Sequence, residues 1–323
     1  MGLGRRDRAA LAALSLAVLA LVAAAGWRDR APDARLEPRL GVFLGSDARG
    51  VARVPGFQAW LGGAPVTVGR TYLAGNSWRD IETGGWAIDP WARWKTAARG
   101  RLLVVNVPLL QPNEPALDDA TVRRMLHAGA SGAFDRYFAA LGEHLVRAGA
   151  ADAILDLGWE MNGITYSSRC RPDPDAWKGH YRRVVSVLRG VPGQRFRFEF
   201  TPDRGRNAIG WTSCYPGDDV VDIIGMHTYD QPPGTTFQDY ATQPFGLDAA
   251  ADFAAAHGKQ LAIPEWGLAA HKDNARYVVE LHTWLARHDV LYHSVSDYCP
   301  HGVWRCGTNP RAGEAYRSLF GHQ

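Results

Sequence analysis

The stretch DAILDLGWEMNG, residues 152–163, places an acidic residue, Glu160, directly after a short apolar run. The stretch KQLAIPEWGL, residues 259–268, repeats this arrangement with Glu265. Both runs have the near-continuous hydrophobicity of parallel strands that helices cover. Turn-forming residues follow each glutamate. Each carboxylate is therefore predicted to stand at the C-terminal end of a buried strand, where the loops of an α/β barrel build a site.

Six further apolar runs accompany these two, and helical segments separate them. The predicted strands are residues 40–46, 65–73, 101–110, 153–159, 195–202, 220–229, 260–266 and 290–298. Amphipathic runs at 134–149, 177–190 and 273–288 have apolar residues at helical spacing, the last with Asp273 or Asn274 as N-cap. This alternation predicts an α/β fold, a (β/α)8 TIM barrel. A doubly wound sheet is the alternative, but no glycine-rich phosphate loop follows any predicted strand.

Two segments fit the barrel less well. The fifth run, RFRFEFTP (195–202), alternates apolar and polar residues, so either it lines a polar interior or it is not a strand. Residues 74–100 are rich in Trp and Gly, and their predicted helix is short. We expect one catalytic domain over residues 38–323.

The start of the chain has the composition of a targeting segment. Arg5, Arg6 and Arg8 precede an apolar run over residues 9–25 that is short for a membrane span. Residues 1–26 are predicted to be a signal peptide, with an uncleaved membrane anchor as the alternative. Either reading places the domain outside the cytoplasm, secreted or anchored at its N-terminus.

Composition excludes several classes of protein. Of the 323 residues, 46% are hydrophobic and 21% are charged, as in a globular protein with a sizeable core. The net charge is only +3 and the arginines are scattered, so nucleic-acid binding is not expected. We expect a monomer without stable membrane insertion unless the N-terminal segment is retained.

The four cysteines suit an oxidising compartment. Cys299 and Cys306 flank a turn-rich stretch and would close a small loop, which leaves Cys170 and Cys214 to pair. Three connectivities are possible, and the sequence does not choose among them. Disulfides are favoured over a zinc site because no CxxC spacing occurs.

Two carboxylates that meet across a cleft are the minimal equipment for cleaving a glycosidic bond. The indole of Trp159 is expected to reduce hydration of Glu160 and raise its pKa, which suits a general acid. Glu265 is expected to stay ionised and to attack the anomeric carbon. Tyr229, at the end of the sixth strand, is placed to hold Glu265 charged by hydrogen bonding.

Three motifs carry a family resemblance: WEMNG (159–163), YPGDDVVDIIG (215–225) and PEWG (264–267). They resemble glycoside hydrolase family 26, whose members are clan A retaining enzymes on a (β/α)8 barrel, many of them endo-β-mannanases. The resemblance extends from about residue 150 to the end of the chain. It implies that Glu160 is the acid/base and that Glu265 is the nucleophile.

The chain departs from the family pattern at three places. Trp159 replaces the histidine that usually precedes the acid/base. Asp203 follows Thr201 and Pro202 where the family tends to have Pro-Asn, and the aromatic pair after the EMNG motif is reduced to residues 164–166. These departures indicate a divergent member with its own glycan.

Aromatic side chains are the second indication of a sugar ligand, because flat indole faces pack against the C–H faces of sugar rings. The candidate substrate-binding residues are Trp159, Asn162, Trp211, His227, Tyr229, Trp266 and Trp304. Trp78, Trp86, Trp91 and Trp94 crowd the segment after the second strand, and about half of the eight tryptophans named here are expected to contact a ligand. Trp177 and Trp284 are expected to pack helices against the barrel. His227 is expected to bond either a sugar hydroxyl or a catalytic carboxylate.

No cofactor is expected. Asp218 and Asp219 lack the loop pattern of a calcium site, and no GxSxG motif of an esterase is present. The sequence thus predicts a secreted retaining hydrolase acting within a β-linked polysaccharide, with mannan as the first candidate. A glycan-binding barrel without turnover and an enzyme that remodels a cell-surface exopolysaccharide are the alternatives.

Overall fold

The structure is a computed structural model and describes residues 37–114 and 117–322. The predicted signal peptide, residues 1–26, lies outside the described residues. Within the described ranges, every helix is too short or too polar to cross a membrane.

Eight parallel strands close into one barrel in chain order. They are β1 (Arg39–Phe43), β2 (Val68–Tyr72), β3 (Leu102–Val107), β4 (Ile154–Leu157), β5 (Arg197–Phe200), β6 (Ile223–Tyr229), β7 (Gln260–Gly267) and β8 (Val290–Ser296). Each strand lies within one of the predicted runs or differs from it by one residue. Because β8 pairs with β1, the sheet has no free edge, which confirms the (β/α)8 barrel and excludes the doubly wound alternative.

Helices surround the barrel in the described part of the chain. They are α1 (Ala48–Trp60), α2 (Trp78–Thr83), α3 (Gly85–Thr96), α4 (Asp119–Ala130), α5 (Asp135–Arg147), α6 (Pro174–Arg189), α7 (Phe237–Thr242), α8 (Leu247–Ala256), α9 (Ala275–Arg287) and α10 (Pro310–Phe320). A short 3-10 helix spans Trp211–Cys214. The predicted amphipathic helices correspond to α5, α6 and α9, and Asn274 is the N-cap of α9, accepting from Tyr277 N at 3.2 Å.

Aromatic packing between helices and strands explains the tryptophan-rich segment after β2. Gly69 on β2 has no side chain, and a Cβ there would lie 2.6 Å from the Trp91 ring and 2.7 Å from the Trp94 ring. Both indoles of α3 therefore rest directly on the strand. Both are buried, so these two are not among the tryptophans that could contact a ligand.

The barrel interior has an apolar layer beneath a polar one. The apolar layer consists of Val68, Val104, Ile154, Ile223, Ala262 and Tyr292. Two residues further along three of the strands, on the same face, stand buried Arg70, Asn106 and Asp156. Glu199 joins this polar layer, while its neighbours Phe198 and Phe200 contact α6. The alternating fifth run is thus a strand that lines a polar interior.

Two disulfides stabilise the loops at the C-terminal ends of the strands. Cys170–Cys214 joins the loop after β4 to the 3-10 helix after β5, across 44 residues. Cys299–Cys306 closes a loop of separation 7 between β8 and α10. Of the three possible connectivities, the structure has the one in which the turn-rich stretch between Cys299 and Cys306 forms the small loop.

Loop length predicts unequal contributions from the two disulfides. Chain-entropy arguments assign about 4 kcal/mol to a cross-link that closes a loop of this longer size, and about 2.5 kcal/mol to the shorter one. We expect alanine at Cys170 and Cys214 to lower the free energy of unfolding more than alanine at Cys299 and Cys306. Urea denaturation of the two double variants measures this order, and equal losses would contradict it.

Candidate active site

Glu160 is held at the end of β4 in an unusual backbone conformation. Its φ is 54°, in the left-handed region, which costs a non-glycine residue about 1–2 kcal/mol. Gly158 precedes it with φ 62°, and a Cβ there would lie 2.7 Å from Leu109. The amide of Glu160 donates to Thr201 O at 2.8 Å, and its own carbonyl accepts from Gly163 N at 3.0 Å. These bonds fix the direction of the Glu160 side chain.

Glu265 follows a local irregularity in β7. The pairing of β7 with β6 shifts between Gly225 and His227, and its pairing with β8 shifts between Ile263 and Trp266. Pro264 lies within both irregular stretches and has no N–H to donate to a neighbouring strand. The shift brings Glu265 beside His227 in the register of the barrel.

Three side chains bind the carboxylate of Glu265. The Tyr229 hydroxyl donates to Oε1, and the Tyr72 hydroxyl donates to Oε2. Arg70 Nη2 lies 3.1 Å from Oε2. An arginine and two phenols that all donate favour the ionised form of the acid.

Arg70 is fully buried at the floor of the site and connects several strands. Its Nε donates to Asn106 Oδ1 at 2.8 Å, and its Nη1 donates to the carbonyl oxygen of Pro264. Its Nη2 lies 2.9 Å from His227 Nε2. The guanidinium therefore supports the position of Glu265 both directly and through the backbone of β7.

His227 lies between the two glutamates. Arginine can only donate, so Nε2 of His227 is the acceptor and the proton of the neutral ring is on Nδ1. Nδ1 then donates to Glu160 Oε1 at 2.9 Å, while Nε2 is 3.6 Å from Glu265 Oε2. Burial lowers the pKa of His227 to about 4, which keeps the ring neutral. Both carboxyl groups thus lie against the two nitrogens of one imidazole.

The two glutamates titrate on opposite sides of neutrality. Burial raises the pKa of Glu160 to about 8, and the charge of Glu265 adds to this effect. Burial by itself would also raise the pKa of Glu265, but His227, Arg70 and the two phenols outweigh it and hold that pKa at about 2. Near neutral pH one carboxyl is an acid with a proton to give, and the other is a carboxylate.

A second pair of carboxyl groups lies deeper in the barrel. Asn106 Nδ2 donates to Asp156 Oδ2 at 2.6 Å, and the Tyr292 hydroxyl donates to Glu199 Oε2 at 2.6 Å. Burial raises the pKa of both acids, and repulsion from Glu199 raises that of Asp156 further. Arg70 Nη2 lies 3.8 Å from Asp156 Oδ2 and 3.1 Å from Glu265 Oε2, so Glu265 is the nearer of these two carboxyl partners.

Asn162 is a structural residue and not a sugar ligand. Its Nδ2 donates to Asp203 O at 2.8 Å and Gly205 O at 3.1 Å, and its Oδ1 accepts from Asp203 N at 2.9 Å. The buried amide is therefore used to join the ends of β4 and β5, and its predicted substrate contact is wrong. Asp203 is a third carboxyl group at the site: burial, and then the charge of Glu160, raise its pKa to about 7.

Two predicted sugar-stacking tryptophans are buried on the helix side of the barrel. Trp266 follows Glu265 in an extended strand, so it points to the opposite face, where its Nε1 donates to His293 Nδ1 at 3.2 Å. Trp211 packs against Phe253 and donates to a backbone carbonyl. Neither ring offers a face to a ligand, so both predictions are wrong.

The other tryptophans occupy varied positions. Trp159 is 5% exposed and lies at the cleft, in edge contact with Tyr72 at 5.4 Å and Tyr166 at 5.1 Å. Trp78 stacks on Phe134 between helices. Trp304 packs edge-on against Phe57 of α1, and its contact with a sugar remains a prediction. Trp86 on α3 is 50% exposed, and Trp177 and Trp284 are buried under their helices as expected.

Sequence reasoning missed Arg70, Tyr72 and Tyr298. Arg70 and Tyr72 follow Val68 at intervals of two residues along β2 and so lie on the same face of the strand. A charged residue inside an otherwise buried run was the one sign in the sequence that this strand contributes to the site. Tyr298 follows β8, is 46% exposed, and meets Phe43 edge to face at 6.2 Å. Its ring lies 5.0 Å from that of His301, which in turn lies 4.7 Å from the ring of Tyr229, the phenol that donates to Glu265.

The described residues contain no group of three or more His, Cys, Asp or Glu side chains placed to hold a metal ion. Asp218 accepts from the Tyr215 hydroxyl at 2.8 Å, and Asp219 pairs with Arg182 at 2.6 Å. These two aspartates brace the turn that leads into β6.

Comparison with known proteins agrees with this geometry. Residues 157–277 match the model of Glycosyl hydrolase family 26. A mannanase from Bacillus subtilis shares the fold with a TM-score of 0.64 at 17% identity, covering 88% of this chain and 87% of the other. A family 26 β-mannanase from Bacteroides ovatus gives 0.66 at 15% identity, covering 88% of each chain. A family 26 protein from Muricauda sp. gives 0.65 at 14%, with 88% and 85% covered. No match was found among curated protein sequences.

These structural likenesses establish the barrel, and the family match adds the sequence segment that contains Glu160 and Glu265. The predicted family resemblance is therefore confirmed. The chain is a glycoside hydrolase that is similar to family 26 over residues 157–277 and departs from the family pattern at the residue before the first glutamate.

Proposed function

We propose that this glycoside hydrolase acts within a β-linked polysaccharide and retains the anomeric configuration. The observation that carries the proposal is the position of two carboxyl groups against one imidazole: Glu160 Oε1 lies 2.9 Å from His227 Nδ1, and Glu265 Oε2 lies 3.6 Å from His227 Nε2. The structural neighbours from Bacillus subtilis and Bacteroides ovatus are mannanases, which makes β-mannan the first polymer to test.

In the first step, a carboxylate oxygen of Glu265 attacks the anomeric carbon and forms a glycosyl–enzyme ester. The bond to the leaving oxygen breaks, and Glu160 gives its proton to that oxygen. His227 Nδ1–H holds Oε1 of Glu160 at 2.9 Å, so the carboxyl proton is carried by Oε2. The same N–H stabilises the carboxylate that Glu160 becomes after transfer.

In the second step, Glu160 accepts a proton from water, whose oxygen attacks the anomeric carbon. The ester bond to Glu265 breaks, and the carboxylate returns to its two phenols and Arg70. Two inversions give net retention. This mechanism needs carboxyl groups about 5–5.5 Å apart, a spacing compatible with two groups that contact one imidazole ring.

Tyr298 takes the role of aromatic platform that sequence reasoning assigned to Trp266 or Trp304. Its ring is a half-exposed aromatic at the end of β8, and it contacts His301, which packs on Tyr229. An exposed phenol face suits the apolar face of a pyranose.

The pKa of Glu160 predicts the basic limb of the pH profile. The first step needs protonated Glu160, so kcat/KM should fall about tenfold per pH unit above a pH of about 8. Glu265, with a pKa of about 2, stays ionised through the neutral range. Initial rates on soluble mannan between pH 5 and 10 measure this limb, and a decline that starts near pH 5 would contradict the assignment.

We also propose that the domain, residues 38–323, functions outside the cytoplasm. Two disulfides within the domain support an oxidising environment. The predicted signal peptide or anchor at residues 1–26 agrees with export. Mass analysis of the mature N-terminus and cell fractionation test this and separate free secretion from anchoring.

The decisive experiment is a panel of β-mannan, mixed-linkage glucan, xylan and arabinan, read out by release of reducing ends. We expect internal cleavage of at least one β-linked polymer, with β-configured products by NMR. Binding without release of ends would favour a glycan-binding barrel. Products of α configuration would overturn the double-displacement mechanism.

A further inference from the structure

The loop between β8 and α10 carries a histidine, His301, next to a phenol that binds Glu265. The His301 ring lies 4.7 Å from the Tyr229 ring, with an interplanar angle of 60°. Tyr229 is the last residue of β6, and its hydroxyl donates to Oε1 of Glu265. No step of the proposed mechanism uses His301.

A glycine makes this ring contact possible. Gly267 ends β7, two residues after Glu265. A Cβ there would lie 2.9 Å from His301 Cβ and 3.1 Å from Tyr229 Cε1, which is too close for both rings to stay in place. The absence of a side chain at Gly267 therefore lets the two rings meet at the end of β7.

The orientation of the His301 ring is set by Leu268, the residue after this glycine. His301 Nδ1 donates to Leu268 O, and Leu268 N donates to His301 O at 3.1 Å. A carbonyl oxygen only accepts, so this bond assigns a proton to Nδ1. The amide of His301 also donates to Tyr298 O at 2.7 Å. Side chain and backbone together thus hold the ring in one orientation against Tyr229.

The loop that presents His301 is braced from several directions. The Cys299–Cys306 disulfide closes the loop around His301. The buried amide of Asn309 donates to the carbonyls of the two neighbours of His301 in the chain, at 2.7 and 2.8 Å. Asp297, at the end of β8, accepts from two further amides of the loop at 2.9 and 2.8 Å. The position of His301 is therefore fixed independently of any ligand.

The ring contact is large enough to affect the reaction. Aromatic pairs of this kind stabilise one arrangement over another by about two- to tenfold in an equilibrium. The hydroxyl of Tyr229 has to stay within hydrogen-bond distance of a carboxylate that attacks carbon, and small errors in such geometry slow the step. A ring that holds Tyr229 in place thus contributes to the rate without contacting the reacting atoms.

We propose that His301 is a positioning residue whose ring holds the Tyr229 phenol against Glu265, and that the Cys299–Cys306 disulfide contributes to catalysis by holding His301. The inference rests on the proposed function and extends it to a loop outside the barrel. It gives the smaller disulfide a role in the rate in addition to its contribution to stability.

A double-mutant cycle separates this role from a merely structural one. His301→Ala should lower kcat on the best polymer of the panel about five- to tenfold, with KM changed less than about twofold. Tyr229→Phe removes the hydroxyl and should lower kcat about tenfold or more. In the Tyr229→Phe protein, His301→Ala should cost less than about twofold further, because the hydroxyl that it positions is gone. Losses of kcat that simply multiply would overturn the inference.

Two other substitutions identify the feature of His301 that matters. His301→Phe keeps a ring against Tyr229, so it should recover most of the kcat that His301→Ala loses. His301→Asn keeps a donor for Leu268 O but has no ring, so it should recover little. Rescue by asparagine and not by phenylalanine would overturn the ring contact.

The disulfide is tested by replacing Cys299 and Cys306 with alanine together. We expect kcat to fall about fivefold, and His301→Ala in this background to add less than about twofold. An unchanged kcat in the double alanine variant would overturn the role of the disulfide.

His288→Ala is the matched control. Nδ1 of His288 also bonds a backbone carbonyl, Trp284 O at 2.8 Å, and its ring stacks on Trp284 at 3.9 Å. His288 precedes β8, so it lies at the opposite end of the barrel from the glutamates. This variant should keep the wild-type kcat.

A crystal structure of His301→Ala tests the inference without an assay of turnover. We expect the Tyr229 ring to turn, so that its hydroxyl leaves hydrogen-bond distance of Glu265. A hydroxyl that still donates to Glu265 would overturn the inference. A wild-type protein that cleaves neither the polymers of the panel nor an activated aryl glycoside would instead overturn the proposed hydrolysis, and the crystal structure would then decide the positioning role alone.

Discussion

Replacement of Glu265 by glutamine should abolish turnover, with kcat reduced by about four orders of magnitude or more. The amide keeps the size of the side chain but cannot form the glycosyl ester, so the first chemical step is lost. It also leaves Arg70 without its nearest ionised partner. Reducing-end assays on the best polymer from the panel measure the loss.

The control for this variant is Glu280→Gln. Glu280 is a helix residue on α9 that pairs with Arg276, so its substitution removes a carboxylate without touching the barrel interior. We expect full activity from the control and a normal circular dichroism spectrum from both proteins. A Glu265→Gln protein that is folded and keeps more than a few per cent of the wild-type rate would remove Glu265 from the nucleophile role.

Replacement of Glu160 by glutamine should have an effect that depends on the leaving group. Natural polysaccharide needs a proton on the departing oxygen, so its kcat/KM should fall about a thousandfold or more. An activated aryl glycoside with a dinitrophenolate leaving group needs no proton, so the ester at Glu265 should still form. The ester should then accumulate, because Glu160 no longer activates water.

Two measurements test the prediction for Glu160→Gln: mass spectrometry of the accumulated glycosyl–enzyme ester, and rescue of turnover by azide. Azide needs no general base, so it should restore turnover and give a β-configured glycosyl azide. An equal loss of rate for activated and natural substrates would show that Glu160 is not the acid/base. The pH profile offers an independent check, since the basic limb near pH 8 should disappear in this variant.

The fold and the two glutamates could be predicted because both leave local patterns. A buried parallel strand is a short apolar run, and a carboxylate at its end is visible from the sequence. Arg70 leaves only a charged residue inside an otherwise buried run, and that indication does not identify its partners. Its partners Asn106, Pro264 and His227 come from three other strands, and only the closed barrel brings them together.

The errors with tryptophan have a different cause. Distance along the chain from a strand end does not tell which side of the barrel a ring faces. For Trp266 the sequence did indicate the side, because a residue next to an inward-facing Glu265 must point outward in a strand. For Trp211 it was not, since this residue lies in a 3-10 helix whose packing depends on α8.

The difference in pKa between Glu160 and Glu265 is set by groups that lie beneath them, the guanidinium of Arg70 and the imidazole of His227. The rim loops contribute the Trp159 side of the cleft and a cavity lined by Asn113 and Glu114. The residues that set the charge of the carboxyl pair and the loops that line the cleft thus belong to separate parts of the molecule. The rim loops can therefore change in sequence while Glu160, Glu265 and Arg70 keep their positions, as suits a chain that is only 14–17% identical to the three structural neighbours named above.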